Sequence, residues 1–185
     1  ECINSILNQT LKDIEIIYED ESLLVVLKPA GLLSVPGKND RLSLFSLLLD
    51  RGYTPKVVHR RDMDTSGLLV VAKNDESQLD LAGQFFRHTI ERKYVAVVWG
   101  NLKEDEGTIT GNIGRDPNDR LRFKVYPEGD KGKHAVTHYR VIERFGYVTV
   151  VECRLETGRT HQIRVHMNYI GHPLFNDARY GGAEI

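Results

Sequence analysis

The 185-residue chain has two cysteines and one tryptophan, and aromatic residues make up only 8% of it. Cys2 and Cys153 fit neither C-x-x-C nor a zinc spacing, and two cysteines exclude a disulfide framework. Cys153 lies in an alternating apolar run and is expected as a buried free thiol. A reducing, cytoplasmic home is the corresponding expectation. No apolar run approaches the ~18 residues that a membrane-spanning helix needs. Neither a Walker loop nor G-x-G-x-x-G occurs, which removes support for nucleotide-cofactor folds. Internal repeats, low-complexity tracts and long linkers are also missing.

An excess of one charge is lacking as well, since 25 Lys and Arg face 26 Asp and Glu. That balance hides a gradient. Residues 1–22 carry six acids and one base, so the other 163 residues sum to +4. A mildly basic body permits a nucleic-acid partner without demanding one. With 41% hydrophobic residues the chain can build a core and is not of the disordered class. Its length suits one domain. The chain starts at Glu1 rather than Met and stops abruptly at Gly182-Ala183-Glu184-Ile185. Sequence is therefore expected on both sides, with 1–13 as a lead-in and 14–185 as the domain.

What is present is a series of short patterned segments. Ile14–Tyr18 and Leu23–Leu27 flank a polar turn and predict a hairpin. A Gly/Pro loop runs from Lys28 to Gly37. Leu44, Leu47 and Leu48 predict a helix over Ser43–Asp50, with Gly52 past its end. Val57-Val58 and Leu68–Ala72 have strand character. Asn74 is a candidate N-cap for a helix over Ser77–His88 that buries Leu81, Phe85 and Phe86. Lys93–Val98 is β-rich, and Asn101–Gly107 reads as a charged turn. Leu121, Phe123 and Val125 alternate with Arg122, Lys124 and Tyr126, which predicts a buried face and a basic exposed one. Val136–Phe145 and Tyr147–Leu155 form a second hairpin at Gly146. Thr160 is a candidate cap for a helix over His161–Ile170, closed by Gly171. Neighbouring strand pairs without regular βαβ alternation predict an α+β fold on a mostly antiparallel, mixed sheet with a few helices.

The chemistry concentrates in His59-Arg60-Arg61-Asp62-Met63-Asp64-Thr65-Ser66-Gly67, a charge-dense loop between two apolar runs, where a scaffold presents reactive groups. Taken alone it reads first as a surface turn. As the D-x-D pair of a magnesium-dependent phosphatase, Asp62 and Asp64 lack a preceding hydrophobic strand, and Thr65 comes one residue early. As a kinase catalytic loop it lacks the glycine-rich loop and D-F-G.

The same loop resembles the H-R-L-D-x-x-T-S-G-L-L-L segment of the RluA family of RNA pseudouridine synthases. Asp20–Leu32, with Lys28-Pro29-Ala30-Gly31, resembles that family's first motif, and Glu91–Gly100 the segment with its active-site tyrosine. Leu155-Glu156-Thr157-Gly158-Arg159-Thr160-His161-Gln162-Ile163-Arg164-Val165-His166 is similar almost letter for letter to a later motif. Gly171-His172-Pro173-Leu174 and Asp177-Ala178-Arg179-Tyr180-Gly181 continue it. The blocks follow the family's order from about Ile14 to Gly181. Two departures stand out: Arg61 occupies a position that is usually Leu, and the family's closing strand motif would fall after Ile185.

The resemblance implies the pseudouridine synthase catalytic fold and the isomerisation of uridines in a ribosomal or transfer RNA stem-loop. Uracil leaves its ribose at N1 and rejoins through C5, so neither cofactor nor metal is implied. Asp62 is implied as the anion beside C1′ and C2′, a task that suits a carboxyl whose ordinary pKa is ~3.9. Arg164 is implied as the cation that keeps it charged against desolvation, and Tyr94 as the ring stacked on uracil. Arg60 is implied to enter the RNA or to hold the flipped nucleotide's phosphate. Lys28, Thr65, His161, Arg122 and Lys124 complete the RNA contacts, with Lys131 and Lys133 extending a basic strip. Helical spacing places His161 and Arg164 one turn apart on one face. His161, His166 and His172 do not form H-E-x-x-H, and no zinc is expected. The chain is expected to be a monomer with RNA as partner and no membrane association. A module of the same fold that binds RNA without catalysis is the alternative.

Overall fold

The computed structural model describes residues 14–37, 42–127, 129 and 131–181; the expected lead-in over 1–13, Cys2 included, lies outside the described residues. The chain divides into two compact units, with the boundary between Thr89 and Ile90.

In the first unit, β1 (Glu15–Glu19), β2 (Leu23–Lys28) and β3 (Gly67–Ala72) make an antiparallel sheet in the order β1-β2-β3. Asp20 closes the predicted hairpin: its Oδ1 accepts from the Ser22 and Leu23 amides at 2.7 and 2.8 Å, as aspartate does in tight turns. Alternate residues of a strand share a face, and in β2 the inner face consists of Leu24, Val26 and Lys28, all fully buried. Across the ladder they meet Val71, Leu69 and Gly67. Helix α1 (Leu44–Asp50) starts at Ser43, whose hydroxyl accepts from the Ser46 amide while the Ser46 hydroxyl accepts from the Ser43 amide, a reciprocal cap that satisfies two orphan donors. The helix buries Leu44, Phe45, Leu47 and Leu48 in the cluster that also holds Leu24, Val26, Leu69 and Val71.

Two expectations need correction here. Val57-Val58 forms no strand, and the contact with β3 is a single bridge from Lys56 to Ala72. Helix α2 (Asp75–Phe86) is capped by Asn74 as predicted, with Oδ1 2.8 Å from the Ser77 amide. It starts two residues early, however, so that Asp75 and Glu76 occupy the first turn, where acidic groups complement the helix dipole. It does not bury Phe86, which is 84% exposed, and Leu81 and Phe85 are only partly buried. Adjacent helical residues point ~100° apart, and Phe85 is the one turned inward, stacked on His59 at 4.3 Å between centroids.

The second unit is a five-stranded sheet in the order β4-β8-β7-β5-β6, with every ladder antiparallel. Its strands are β4 (Lys93–Trp99), β5 (Glu106–Arg115), β6 (Phe123–Tyr126), β7 (Lys133–Arg144) and β8 (Val148–Leu155). The β7–β8 hairpin turns at Gly146 with φ +83°, which glycine adopts without strain. β5 runs through what reads in sequence as a turn and a featureless stretch. Its inward positions are Ile109, Gly111 and Ile113, and a Cβ on Gly111 would sit 2.5 Å from Val125 Cγ1. Close packing against β6 therefore replaces an apolar side chain and breaks the alternation. β6 itself is partly buried at all four residues, so the expected split into a buried and a basic exposed face does not occur. Leu121 lies outside the strand and is 66% exposed.

Helix α3 (Gln162–Tyr169) buries Val165 and Met167 against this sheet. Thr160 does not cap it. The N-cap is His161, with φ +56° and no side-chain cap bond. The start is fixed instead by buried Gln162. Its Oε1 accepts from Thr157 Oγ1 and the Arg159 amide, and its Nε2 donates to the Val136 carbonyl and Thr137 Oγ1. Cys153 is fully buried, and burial pushes its thiol up to about 12. No helix among the described residues is long and apolar enough to cross a membrane. Among the described residues, three helices and two antiparallel sheets make the α+β fold that the sequence predicts.

Candidate active site

In the first unit, the loop from His59 to Ser66 leads directly into β3. His59 anchors its start, accepting from the Val70 amide through Nε2 at 3.2 Å. A turn follows, closed by the Thr65 amide on the Asp62 carbonyl at 3.1 Å. Asp62 and Thr65 are partly buried, while Arg60 and Asp64 are exposed.

The backbone on both sides of Asp62 is tied to the Gly/Pro loop that follows β2. Ser34 Oγ lies 3.0 Å from the Arg61 carbonyl oxygen and 3.1 Å from the Arg61 amide nitrogen. The Met63 carbonyl accepts from the Gly31 amide at 3.0 Å and from Lys28 Nζ at 2.8 Å. Lys28 Nζ also donates to the carbonyls of Leu32 at 2.7 Å and Pro29 at 2.9 Å. Three carbonyls thus take up the three donors of one ammonium group. Burial first, then the Arg61 guanidinium, bring the Lys28 pKa down to about 8, against the pull of Asp64 and Asp62. At neutral pH it remains the ammonium that these acceptors require. Lys28, expected among the RNA contacts, is fully buried, and its charged end holds the Asp62 loop together.

In the second unit, Arg164 on α3 grips Asp177 with two parallel bonds, Nε to Oδ2 at 2.6 Å and Nη2 to Oδ1 at 2.8 Å. Such fork-to-fork pairs fix a guanidinium in orientation as well as in position. The Asp177 Oδ1 also accepts from the amides of Arg179 and Tyr180. Burial alone would raise this carboxyl, but Arg164 and the two amides outweigh it and leave the pKa lowered. The Arg164 guanidinium lies 4.9 Å from the Tyr180 ring centroid and that of Arg122 5.5 Å from it. The Tyr180 hydroxyl accepts from the Phe123 amide at 2.9 Å and pairs with His161 Nδ1 at 2.8 Å. His161, Arg122 and Arg164 are therefore gathered around one tyrosine. Lys124 lies over the Tyr126 ring at 5.1 Å. Tyr94 sits on β4 in register with Cys153, partly buried beside Ala96, Val98 and Met167.

Of the predicted residues, the first unit carries Lys28, Arg60, Asp62 and Thr65; the second carries Tyr94, Arg122, Lys124, His161 and Arg164. Sequence reasoning missed Ser34, Gln162, Asp177 and Tyr180 as individual residues. The last three lie within motifs that carry the resemblance, which was the available signal; Ser34 lies just beyond the first motif.

Residues 22–169 match the RNA pseudouridylate synthase family. An uncharacterized RNA pseudouridine synthase, YlyB of Bacillus subtilis (strain 168), is 48% identical over 179 residues, which are 91% of this chain and 58% of that protein. Ribosomal large subunit pseudouridine synthase D of Nitrosomonas europaea is 47% identical over 175 residues, 91% of this chain and 50% of the relative. Among solved structures, human RNA pseudouridylate synthase domain containing 1 superposes with a TM-score of 0.81 at 29% identity, covering 94% of this chain and 71% of its own. Human RNA pseudouridylate synthase domain containing 4 shares the fold, with a TM-score of 0.75 at 23% identity over 97% of this chain and 73% of its own. The chain belongs to the RNA pseudouridylate synthase family. It spans between half and three-fifths of the length of these two curated relatives.

Proposed function

We propose that the protein isomerises uridine to pseudouridine in structured RNA, with Asp62 as the catalytic anion. The observation that carries this reading is the clamp on Asp62: its two neighbours in sequence are held through their backbones by Ser34, Gly31 and Lys28. A loop built to fix one carboxylate is what a reaction through an electron-poor sugar needs, because misplacement by ~1 Å can cost ~100-fold in rate. The N1–C1′ bond breaks, the uracil turns, a C5–C1′ bond forms, and the proton displaced from C5 is balanced by one gained at N1. No atom is added or lost, so the reaction needs no redox partner. In this reading Tyr94 and Arg164 take the roles that the family resemblance implies, a ring stacked on the uracil and a cation that favours an ionised carboxylate. Extruding the base costs a few kcal/mol, offset by side chains such as Arg60 that take its place.

The substrate is proposed to be ribosomal RNA of the large subunit, a choice supported by the name of the Nitrosomonas relative. The test is tritium release from large-subunit RNA transcribed with C5-tritiated uridine. The unaltered protein is expected to release tritium, and Asp62→Ala and Asp62→Asn to release none while still binding RNA. Undiminished release by Asp62→Ala overturns the proposal.

A further inference from the structure

We propose that a cationic cleft in the second unit, bordered by Arg115, Lys133 and Arg159, is a binding site for a phosphodiester of the RNA strand. The site rests on the reading of the protein as an RNA-acting enzyme and adds to it a place where the strand is held.

The cleft has a volume of about 540 Å³ and is lined by these three residues together with Phe123, Thr160 and several glycine-bearing backbone segments. The cations come from separate parts of the chain: the end of β5, the start of β7 and the turn before α3. Among the described residues, no carboxylate lines the cleft and none of the three cations has an ion-pair partner. That is unusual company for Arg and Lys in a chain with as many acids as bases.

Two of the three charged groups are already held in place by neutral partners. Arg115 donates to the Arg120 carbonyl at 2.5 Å and lies over the Phe123 ring at 5.1 Å. Arg159 donates through Nε to the His134 carbonyl at 2.8 Å. Such anchoring orients a guanidinium without neutralising it, so less rotamer freedom remains to be lost when an anion arrives. Like charges collected with no counter-ion among the described residues are relieved by a bound anion. Guanidinium forks match the oxygens of a phosphate, and the Thr160 hydroxyl on the same wall is a further donor. Phosphate contacts of this kind set the register of a nucleic acid without reading its sequence.

The test is fluorescence anisotropy of a labelled uridine-containing RNA stem-loop against the full chain, from about 50 to about 250 mM KCl. Arg115→Gln and Lys133→Gln alter exposed side chains, and each is expected to weaken binding roughly 3- to 10-fold and to flatten the logarithmic salt slope by about 0.7–0.9. Lys103→Gln removes an equal charge just before β5, about 30 Å along the strand from Arg115, and is expected to change neither quantity. Thermal melts confirm that all three variants fold. Unchanged affinity and slope in both Arg115→Gln and Lys133→Gln overturn the site, even if the unaltered protein releases tritium normally. Weakened binding and a shallower slope support the site even if the unaltered protein releases no tritium, in which case only the catalytic reading fails.

Discussion

One hydroxyl binds Ser34 to Arg61 twice, donating to the Arg61 carbonyl at 3.0 Å and accepting from the Arg61 amide at 3.1 Å. Two residues on, the Met63 carbonyl is held by Gly31 and Lys28. Asp62 therefore belongs to a tripeptide whose outer members are fastened to a different stretch of chain. The stretch from Lys28 to Ser34 and the Asp62 loop act as one unit because the first supplies the hydrogen bonds that the second cannot make within itself.

Ser34→Ala is expected to lower stability by about 1–2 kcal/mol, since two backbone groups of Arg61 lose a partner, with each such bond contributing ~0.5–1.5 kcal/mol net. The kinetic effect separates positioning from binding. Tritium release should lose about 10-fold or more in kcat while KM stays near its original value, because the altered residue acts through Asp62. Ser34→Thr keeps the hydroxyl and should recover most of the loss. A change confined to KM would contradict the positioning role.

Lys28→Met keeps the length of the side chain and removes every donor. The carbonyls of Pro29 and Leu32 lose the ammonium and that of Met63 keeps only the Gly31 amide, so a loss of at least ~2 kcal/mol in urea unfolding and at least ~100-fold in kcat is expected. The pH dependence has a definite sign. A neutral amine has two N–H donors for three acceptors, so the clamp loosens as pH rises through the Lys28 pKa of about 8. The kcat of the unaltered protein should fall on that alkaline side, and the residual activity of Lys28→Met should not. A flat profile for the unaltered protein from about pH 7 to about pH 9 would count against the clamp.

The strands and helices that follow simple periodicity were legible, and the exceptions have physical reasons. Lys28 shares the parity of Leu24 and Val26, so its burial was written in the strand period; its residue type, almost never fully buried unless paired, pointed the other way. β5 stayed hidden because Gly111 leaves room for Val125, a demand made by a strand that comes later in the chain. Thr160 has the side chain of a cap, yet Gln162 takes the Arg159 amide and joins it to Thr157 and β7, a solution no local rule anticipates. Helical spacing placed Arg164 near His161, and both meet at Tyr180. The Asp177 that holds Arg164 lies beyond the helix, at a distance that periodicity does not reach.

Asp177→Asn tests that hold. The neutral side chain cannot accept a charged fork as strongly, and a loss of about 1–3 kcal/mol in stability at neutral pH is expected. Because the folded-state pKa of Asp177 lies below the ordinary 3.8, its contribution is complete above that value and disappears as pH falls through the folded pKa. The gap between the two proteins in urea midpoint should therefore close in acid. In the tritium assay the variant should lose kcat while RNA affinity in anisotropy changes little. Equal losses in both would mean that Asp177 supports only the fold.

His166 adds an acid sensitivity of its own. It is fully buried on α3, with Nδ1 2.9 Å from Thr137 Oγ1 and no hydrogen-bond partner for Nε2 among the described residues. Desolvation brings its pKa from 6.5 down to about 4, so the folded protein keeps the ring neutral while the unfolded chain takes up a proton at milder acidity. Its contribution to stability is intact above about pH 6.5 and is lost as pH falls from there to about 4, a total of ~3 kcal/mol at ~1.4 kcal/mol per pKa unit. His166→Gln cannot titrate, so the difference between the unaltered protein and this variant in unfolding free energy isolates the histidine from the other six. That difference is expected to shift steadily against the unaltered protein across this interval and to be constant above it. A difference that does not vary with pH would mean that the ring is protonated as easily inside the protein as in water.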